Sequence, residues 1–440
     1  MNWRIAAIAI MAFRTAVRSR LVAVLLLLLA MTVVLMPRML QGDGTAVGEF
    51  TIFVRMTHSF CFTILTLAAM WAGCAAIAAE RDKKLLDLTR VKPVYPFELW
   101  FGKWLGISLL FGVALFATFL VIQLQLLVAS ASNGGKYDRF MVSRHVARPI
   151  LPTVEDDAQQ ELKRIIASGE MPENVTEKQL LAELKRLARN KYDLINPGQT
   201  HIWRVPLSKT GKSGELIARF KFDVEWRARG DVQGFCRVRL ADTESWLKSV
   251  AVEDFTLKTI DVPLGDLNLP AGAVVDLAFE HTGSVESAAL LIKSRQNVTL
   301  QTPGGFFTGN LTRVFFIQWA TLILLIALGL TLGVAFSFPV AAFSAMACIV
   351  LAVVSSALVS DLPDLEEEAT LWVKGGRALV ISIGNTVEPI AAQAPLERLT
   401  DGERIEWQEV WRTLLLLCVV FPAVSAVFGS LILSRRETAV

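Results

Sequence analysis

The sequence predicts an α-helical polytopic membrane protein with six transmembrane helices and an inserted extracytoplasmic α+β domain containing a β-sandwich. Three observations predict it. Five stretches are uncharged and mainly apolar: Leu21 to Met36, Phe60 to Ala79, Trp104 to Ser132, Val314 to Ser360 and Thr413 to Ser434. Lys and Arg gather at alternate ends of these stretches. In the polar middle of the chain the hydrophobic period changes from 3.6 to 2. With 440 residues, 53% hydrophobic and 19% charged, the chain is too apolar for the three soluble domains its length suggests, and a mean hydropathy of +0.48 excludes a soluble enzyme.

The first stretch follows Arg14, Arg18 and Arg20 as the core of a signal peptide does. Its core is longer than a usual one, and Pro37-Arg38-Met39 follows instead of a small-x-small cleavage site, so it reads as an uncleaved first span. One span needs roughly 20 residues at 1.5 Å each. The run from Val314 to Ser360 therefore holds two helices, with Pro339 at the hairpin between them, which brings the expected total to six. Basic residues cluster before span 1 (Arg4, Arg14, Arg18, Arg20), between spans 2 and 3 (Arg81, Lys83, Lys84, Arg90, Lys92, Lys103) and at the end (Arg435, Arg436). The positive-inside rule then puts both termini and the second loop in the cytoplasm and the other connections outside.

This gives residues 1–132 as an N-terminal interfacial helix with spans 1–3, 133–313 as the outer domain, and 314–440 as spans 4–6 with an outer connection at 361–412. The outer domain opens with a helical pair over 153–192. Thr153 to Asp156 and Thr176 to Gln179 resemble capping boxes, and Ala158, Leu162, Ile165 and Ile166, then Leu180, Leu181, Leu184, Leu187 and Ala188, form apolar stripes. A sandwich over about 200–305 follows. Leu216, Ala218, Phe220, Phe222, Val224 and Trp226 alternate with Glu215, Ile217, Arg219, Lys221, Asp223 and Glu225, which is a strand with one wet face, and six shorter strand signals lie between 235 and 301.

The cysteines, Cys61, Cys74, Cys236, Cys348 and Cys418, lie in apolar runs except Cys236, so no disulfide framework is expected outside the membrane. His58, His145, His201 and His281 lack ligand spacing, and no metal site is expected. Net charge of +3 gives no support for nucleic-acid binding. Gly211-Lys212-Ser213 ends like a P-loop but lacks the earlier glycine, and Ser245 to Lys248 has a Ser and a Lys without the companion motif of a serine acyl-enzyme. This chain is therefore not expected to be an enzyme. Asn174, Asn297 and Asn310 open glycosylation-type triplets at a frequency chance explains.

The segment between spans 2 and 3 carries the most specific pattern. Glu80, Arg81, Lys83, Lys84, Leu85, Leu86 and Leu88 form a short amphipathic stretch, followed by Pro93 and then by Leu99-Trp100-Phe101-Gly102-Lys103. By itself this is either a helix that seats its apolar face in a protein groove or a basic loop on anionic lipid. An acidic residue closing span 2, a Leu-rich stretch, a proline and Leu-x-x-Gly-Lys entering span 3 resemble the permease subunits of ABC-2 type transporters. The resemblance extends to the amphipathic stretch Trp3 to Arg20 and to the acidic, Gly-containing approach Leu396 to Trp411, and covers about 1–130 and 314–440. The Gly-Thr usual after the acidic residue is replaced by Lys84-Leu85.

The resemblance implies that Glu80 to Lys103 is the coupling helix that docks on a separate ABC ATPase subunit, with ATP and Mg used by that partner and no cofactor bound by this chain. It implies a dimer with a second permease copy or a paralogue, in the cytoplasmic membrane of a bacterium, working as an exporter. Polar residues in the spans, Arg55, His58, Gln123, Gln125 and Gln318, are the candidates for a pathway because polar groups in hydrocarbon need protein or water. The alternative is a non-transporting anchor whose spans display the outer domain.

Overall fold

The computed structural model describes every residue except 1, 41–45, 83–94, 139, 151–153, 169–176, 178–179, 182, 186, 188–193, 208–214, 225–230, 242, 256–258, 268, 271, 283–288, 293–296, 362–374, 377, 379–393 and 438–440. The chain divides into two compact units, residues 1–142 with 306–440, and residues 143–305.

The first unit is helical. Helix α1 (Asn2–Val17) leads into α2 (Arg20–Met39), whose start is capped by Ser19 Oγ accepting from the Val22 amide at 3.3 Å. Pro37 is accommodated in the last turn of α2. Short helix α3 (Ala46–Thr51) runs through a wide π turn (Ile52–Met56) into α4 (Thr57–Asp82). Helix α5 (Pro96–Ser132) begins eight residues before the apolar run that marks it in the sequence. The early start has a local cause: Pro96 fits a first helical position, and Glu98 accepts a hydrogen bond from the Tyr95 amide at 3.2 Å.

Among the described residues five segments are long and apolar enough to cross a membrane: Val22–Met39, Gly48–Arg81, Pro96–Ser132, Phe307–Ala335 and Trp407–Arg435. Helix α7 (Phe307–Ala335) ends where Pro339 foretells a turn, and a further helix, α8 (Phe338–Asp361), follows with an apolar stretch at Phe338–Leu351. Helices α9 (Ala394–Thr400), α10 (Trp407–Leu414) and α11 (Phe421–Glu437) close the unit, the last two joined by a second π turn (Leu415–Val420). Pro422 has no amide for the carbonyl four residues earlier, and the wide turn lies just ahead of it.

Helices α4 and α7 touch backbone to backbone. A Cβ on Gly73 would stand 2.7 Å from the Ile326 carbonyl, one on Gly329 2.7 Å from the Met70 carbonyl, and one on Gly333 2.5 Å from the Cys74 carbonyl. Gly329 and Gly333 thus mark the close helix contact their spacing suggests. Trp104 and Trp319 stitch α5 to α7 by donating to the carbonyls of Ile323 and Ser108, each at 3.2 Å.

The second unit contains helix α6 (Val154–Ser168), the first of the expected pair; most of the second lies outside the described residues. Its strands are β1 (Val142–Ala147), β2 (Leu194–Ile195), β3 (Thr200–Pro206), β4 (Leu216–Lys221), β5 (Asp223–Val224), β6 (Asp231–Leu240), β7 (Lys248–Phe255), β8 (Thr259–Gly265), β9 (Val274–His281), β10 (Leu290–Leu291) and β11 (Val298–Phe306). They form sheets of order β1-β11-β4-β8, β2-β10-β5 and β3-β9-β6-β7. One apolar core draws on all three, with Ala218, Phe220, Ile260, Leu300, Trp203, Cys236, Leu277, Ile195 and Leu290 buried in it. The long strand expected over 215–226 is divided at Phe222: β4 pairs with β8 and β11, whereas β5 pairs with β10. Burial pushes the Cys236 thiol up to about 12, as befits an inert core cysteine.

Candidate functional site

Both described margins of the Glu80 to Lys103 segment are bonded into the helical unit. Lys103, about two turns into α5, is buried and extends its ammonium to the Glu80 carboxylate and to the Ala76 carbonyl at 2.6 Å, both on the last turns of α4. An ammonium in an apolar surround requires such partners, and a carboxylate with a helix-end carbonyl supplies charge and hydrogen bonds together. The chain leaves α4 and enters α5 across this ion pair.

Arg81, the next residue, turns the other way. Its guanidinium donates to the carbonyls of Val334 at 3.1 Å and Phe336 at 2.6 Å, with Gly333 at 3.4 Å, at the C-terminal end of α7. These are among the carbonyls that a helix end leaves without intrahelical donors, and a cation there also meets the negative end of the helix dipole.

Gly102 seats α1. A Cβ at this position would lie 2.7 Å from Cβ and Cγ2 of Ile8, and one at Gly106 would lie 2.3 Å from the Ala9 carbonyl and 3.1 Å from Ala12 Cβ. Glycines four residues apart on α5 thus form a groove that the Ile8-Ala9-Ala12 face of α1 enters. The opposite face of α1, with Trp3, Ile10 and Met11, is exposed, as suits a helix lying at an apolar interface. Leu99 and Trp100 are buried in the helical core, so the Leu-x-x-Gly-Lys pattern resolves into one packing residue, one helix seat and one ion-pair member.

Lys83, Lys84, Leu85, Leu86, Leu88 and Pro93 lie outside the described residues. Glu80, Arg81, Gly102 and Lys103 are held by α1, α4 and α7 as above.

At the other end of α4 the pathway candidates are distributed among separate contacts. Arg55, in the π turn, is ion-paired with Glu397 of α9. His58 is buried against Phe119, ring centroids 4.4 Å apart. Gln318 is buried with its Nε2 lacking a hydrogen-bond partner among the described residues, as is Oε1 of the half-buried Gln125, and Gln123 is half-buried. Among the described residues none of the five bonds to another.

Residues to which the sequence assigned no part in a pathway complete this end. Glu49 accepts from Lys136 Nζ and Tyr137 Oη, each at 2.6 Å, joining the entry to α4 to the exit from α5. Burial, then the hydrogen bond and charge of Glu49, push the Tyr137 hydroxyl up to about 12. Asn310 donates to the Glu403 carbonyl at 2.7 Å and accepts from the Ile405 amide at 2.9 Å, pinning the α9–α10 connection to α7. Buried and bonded on both sides, Asn310 is closed to glycosylation, and its Asn-x-Thr triplet is a coincidence of packing. An Asn at a span boundary was the only available signal.

Residues 6–148 match the sequence model of the family described as ABC-2 family transporter protein. No curated protein and no solved structure gives a significant match. The matched region contains most of α1, all of α2 to α5 and the whole Glu80 to Lys103 segment, and supports an ABC-2 type permease, a multi-pass transmembrane subunit that partners an ABC ATPase and is generally not catalytic itself.

Proposed function

We propose that the chain is the membrane-spanning permease subunit of an ATP-driven ABC-2 type exporter, in which ATP hydrolysis by a separate subunit drives translocation through a dimer of permeases. Residues 80–103 are the coupling segment. The observation that carries this reading is the bonding of the segment's margins. Glu80 and Lys103 lock α4 to α5, Arg81 holds the end of α7, and Gly102 seats α1. A push on either margin of the segment therefore reaches four helices.

The ATP and Mg belong to the partner. The positive clusters support cytoplasmic termini and an outward sheet domain, read as a sandwich of the two four-stranded sheets, in a bacterial inner membrane. Arg55, His58, Gln123, Gln125 and Gln318 stay as the pathway candidates. Gln318 is foremost, because a buried amide without a partner is unfavourable unless a substrate or water meets it.

The test is co-expression with the genomic neighbours and purification by a tag on this chain. A stoichiometric ATPase with vanadate-sensitive hydrolysis is expected, lost on Leu85→Asp with Leu86→Asp. Lys83→Glu with Lys84→Glu should weaken the association at least about tenfold, because reversing charge at an interface removes an attraction and adds a repulsion. Arg81 is excluded from the charge reversals because it caps α7. A folded chain that purifies alone under every detergent condition would instead favour the display anchor.

A further inference from the structure

We propose that the outer face of the β1-β11-β4-β8 sheet is a binding site for a neutral, hydroxyl-rich ligand, a saccharide, built from Arg144, Arg219, Asp261, Thr299 and Gln301. The face is defined by register. Val298 and Leu300 of β11 point into the apolar core, so Thr299 and Gln301 point away from it. Thr299 stands opposite Arg219, Gln301 opposite Ile217, and Arg219 opposite Asp261. Cross-strand partners share a face, and Arg219 grips Asp261 across it with two bonds of 2.6 and 2.9 Å. Arg144 of β1 is close enough to feel the charges of Asp261, Arg219 and Glu215, while burial lowers its pKa.

A solvated sheet face would leave these groups wet, yet burial deepens across it. The Asp261 side chain on edge strand β8 is 44% exposed and that of Arg219 on β4 is 19% exposed, whereas on β11 Thr299 and Gln301 are 7% and 2% exposed as whole residues. Ile217 is buried too, although it stands outside the core to which Leu216 and Ala218 belong. At the deep end, Thr299 Oγ1 and Gln301 Oε1 have no hydrogen-bond partner among the described residues. Two such groups within one strand are unfavourable unless something meets them.

The chemistry of the orphans selects the ligand. Gln301 Oε1 accepts only, so it requires a donor; a carboxylate has none to give it, and a phosphate has only the hydrogen on its protonated oxygen. Arg144 donates only and is cationic, so it offers an ammonium no acceptor and repels it. The formal charges of Arg144, Arg219, Asp261 and Glu215 cancel around the buried end, and Lys221, on the same face at the exposed end of β4, adds one positive charge, too little and too far out to fix an ion at the orphans. A hydroxyl both donates and accepts, and adjacent hydroxyls on a sugar ring meet an acceptor, a donor and the Arg219–Asp261 pair at once. Ile217 and Pro263, opposite each other on the same face, offer an apolar surface for the ring's C–H side.

The test uses the full-length protein in nanodiscs and saturation-transfer NMR with methyl glucoside, methyl galactoside, methyl mannoside, N-acetylglucosamine, inorganic phosphate and ethanolamine as separate probes. Saturable transfer to at least one sugar is expected, with none to phosphate or ethanolamine. Gln301→Leu should weaken it at least about tenfold, the discrimination expected when a buried hydroxyl contact is removed. Asp261→Asn, on the exposed edge, should weaken it as well and keeps the test valid should Gln301→Leu not fold. A glycolipid in the disc that competes with the free sugar would mark a lipid-borne ligand, and one that fails to compete a free one. Absence of saturable binding to every sugar, binding of phosphate or ethanolamine alone, or sugar binding unchanged in both variants would overturn the site.

Discussion

The two ends of the helical unit are closed by different devices. At the 80–103 end the central bond is nearly sealed from solvent: the Lys103 side chain is 3% exposed and its partner Glu80 33%. At the other end the ion pairs lie in the open, with Arg55 and Glu397 36% and 46% exposed and Lys136 and Glu49 35% and 33%. The first end is bonded to helix termini and seated on glycines, whereas the second is bonded to short helices and interrupted by two π turns. A buried charge pair resists separation, and an exposed one exchanges readily with water. The difference teaches where movement is easy: the base is stiff and the far rim gives way, so under the proposed coupling force enters where the helices are held most firmly.

The sharpest way to break this comparison is at Glu80. Glu80→Gln leaves the buried Lys103 ammonium with two neutral acceptors, the Gln amide oxygen and the Ala76 carbonyl, and no counter-charge, and breaking such a pair is unfavourable by about 3 kcal/mol. Lys103→Met leaves the more exposed Glu80 free to meet water, so its effect is smaller, about 2 kcal/mol. Thermal unfolding in detergent should therefore rank wild type, Lys103→Met and Glu80→Gln in descending order. A reversed order would mean that the lysine is solvated and the base is not stiff.

Next comes the seat of α1. Gly106→Leu places a side chain where the Ala9 backbone lies, and overpacking of this kind destabilises by about 2 kcal/mol or displaces the helix. A cysteine introduced at Ala9 should become reactive to a soluble maleimide in the Gly106→Leu protein and stay protected without it. Protection in both would show that α1 is held elsewhere.

Much of the helical unit was legible because an uncharged apolar run of hydrocarbon length fits few structures besides a membrane span, and Pro339 and the Gly329–Gly333 spacing announced a turn and a close contact. The start of α5 was not, because Pro96 to Lys103 is polar enough to read as a loop, and only the local bond from Tyr95 to Glu98 extends the helix. The division of 215–226 between two sheets was equally hidden, since period-two alternation continues unbroken through Phe222 and carries no signal for a change of partner. In the candidate site, Glu80 and Lys103 were found by their pattern but their attachment to each other was not, because pairing across 23 residues is a property of tertiary packing. Arg81 was read as a docking charge of the coupling stretch, whereas its partners in the chain, three carbonyls some 250 residues away, have no sequence signature.

Arg81→Ala probes the same end with a milder change. It removes the donor from the last carbonyls of α7, which can turn to water, so about 1 kcal/mol is expected. Hydrogen exchange should speed up in the last turn of α7 and stay unchanged near Phe307. Uniform acceleration along the helix would mean that the cap supports the whole of α7 and not its end.

The smallest effect belongs to the rim, and it decides whether exposed bonds there matter at all. Arg55 and Glu397 both reach solvent, so a double-mutant cycle on Arg55→Ala and Glu397→Ala should give a coupling of no more than about 1 kcal/mol in stability. Under the proposed transport cycle this rim opens, which makes a different demand on function. Losing the pair favours the open arrangement by the same small amount, so basal ATP hydrolysis by the assembled complex should rise up to about fivefold, the factor to which 1 kcal/mol corresponds. The charge-swapped protein, Arg55→Glu with Glu397→Arg, should return to the wild-type rate, because the attraction needs only opposite charges. If the cycle instead gives several kcal/mol, the rim is as stiff as the base and the contrast between the two ends of α4 is one of geometry, not of strength.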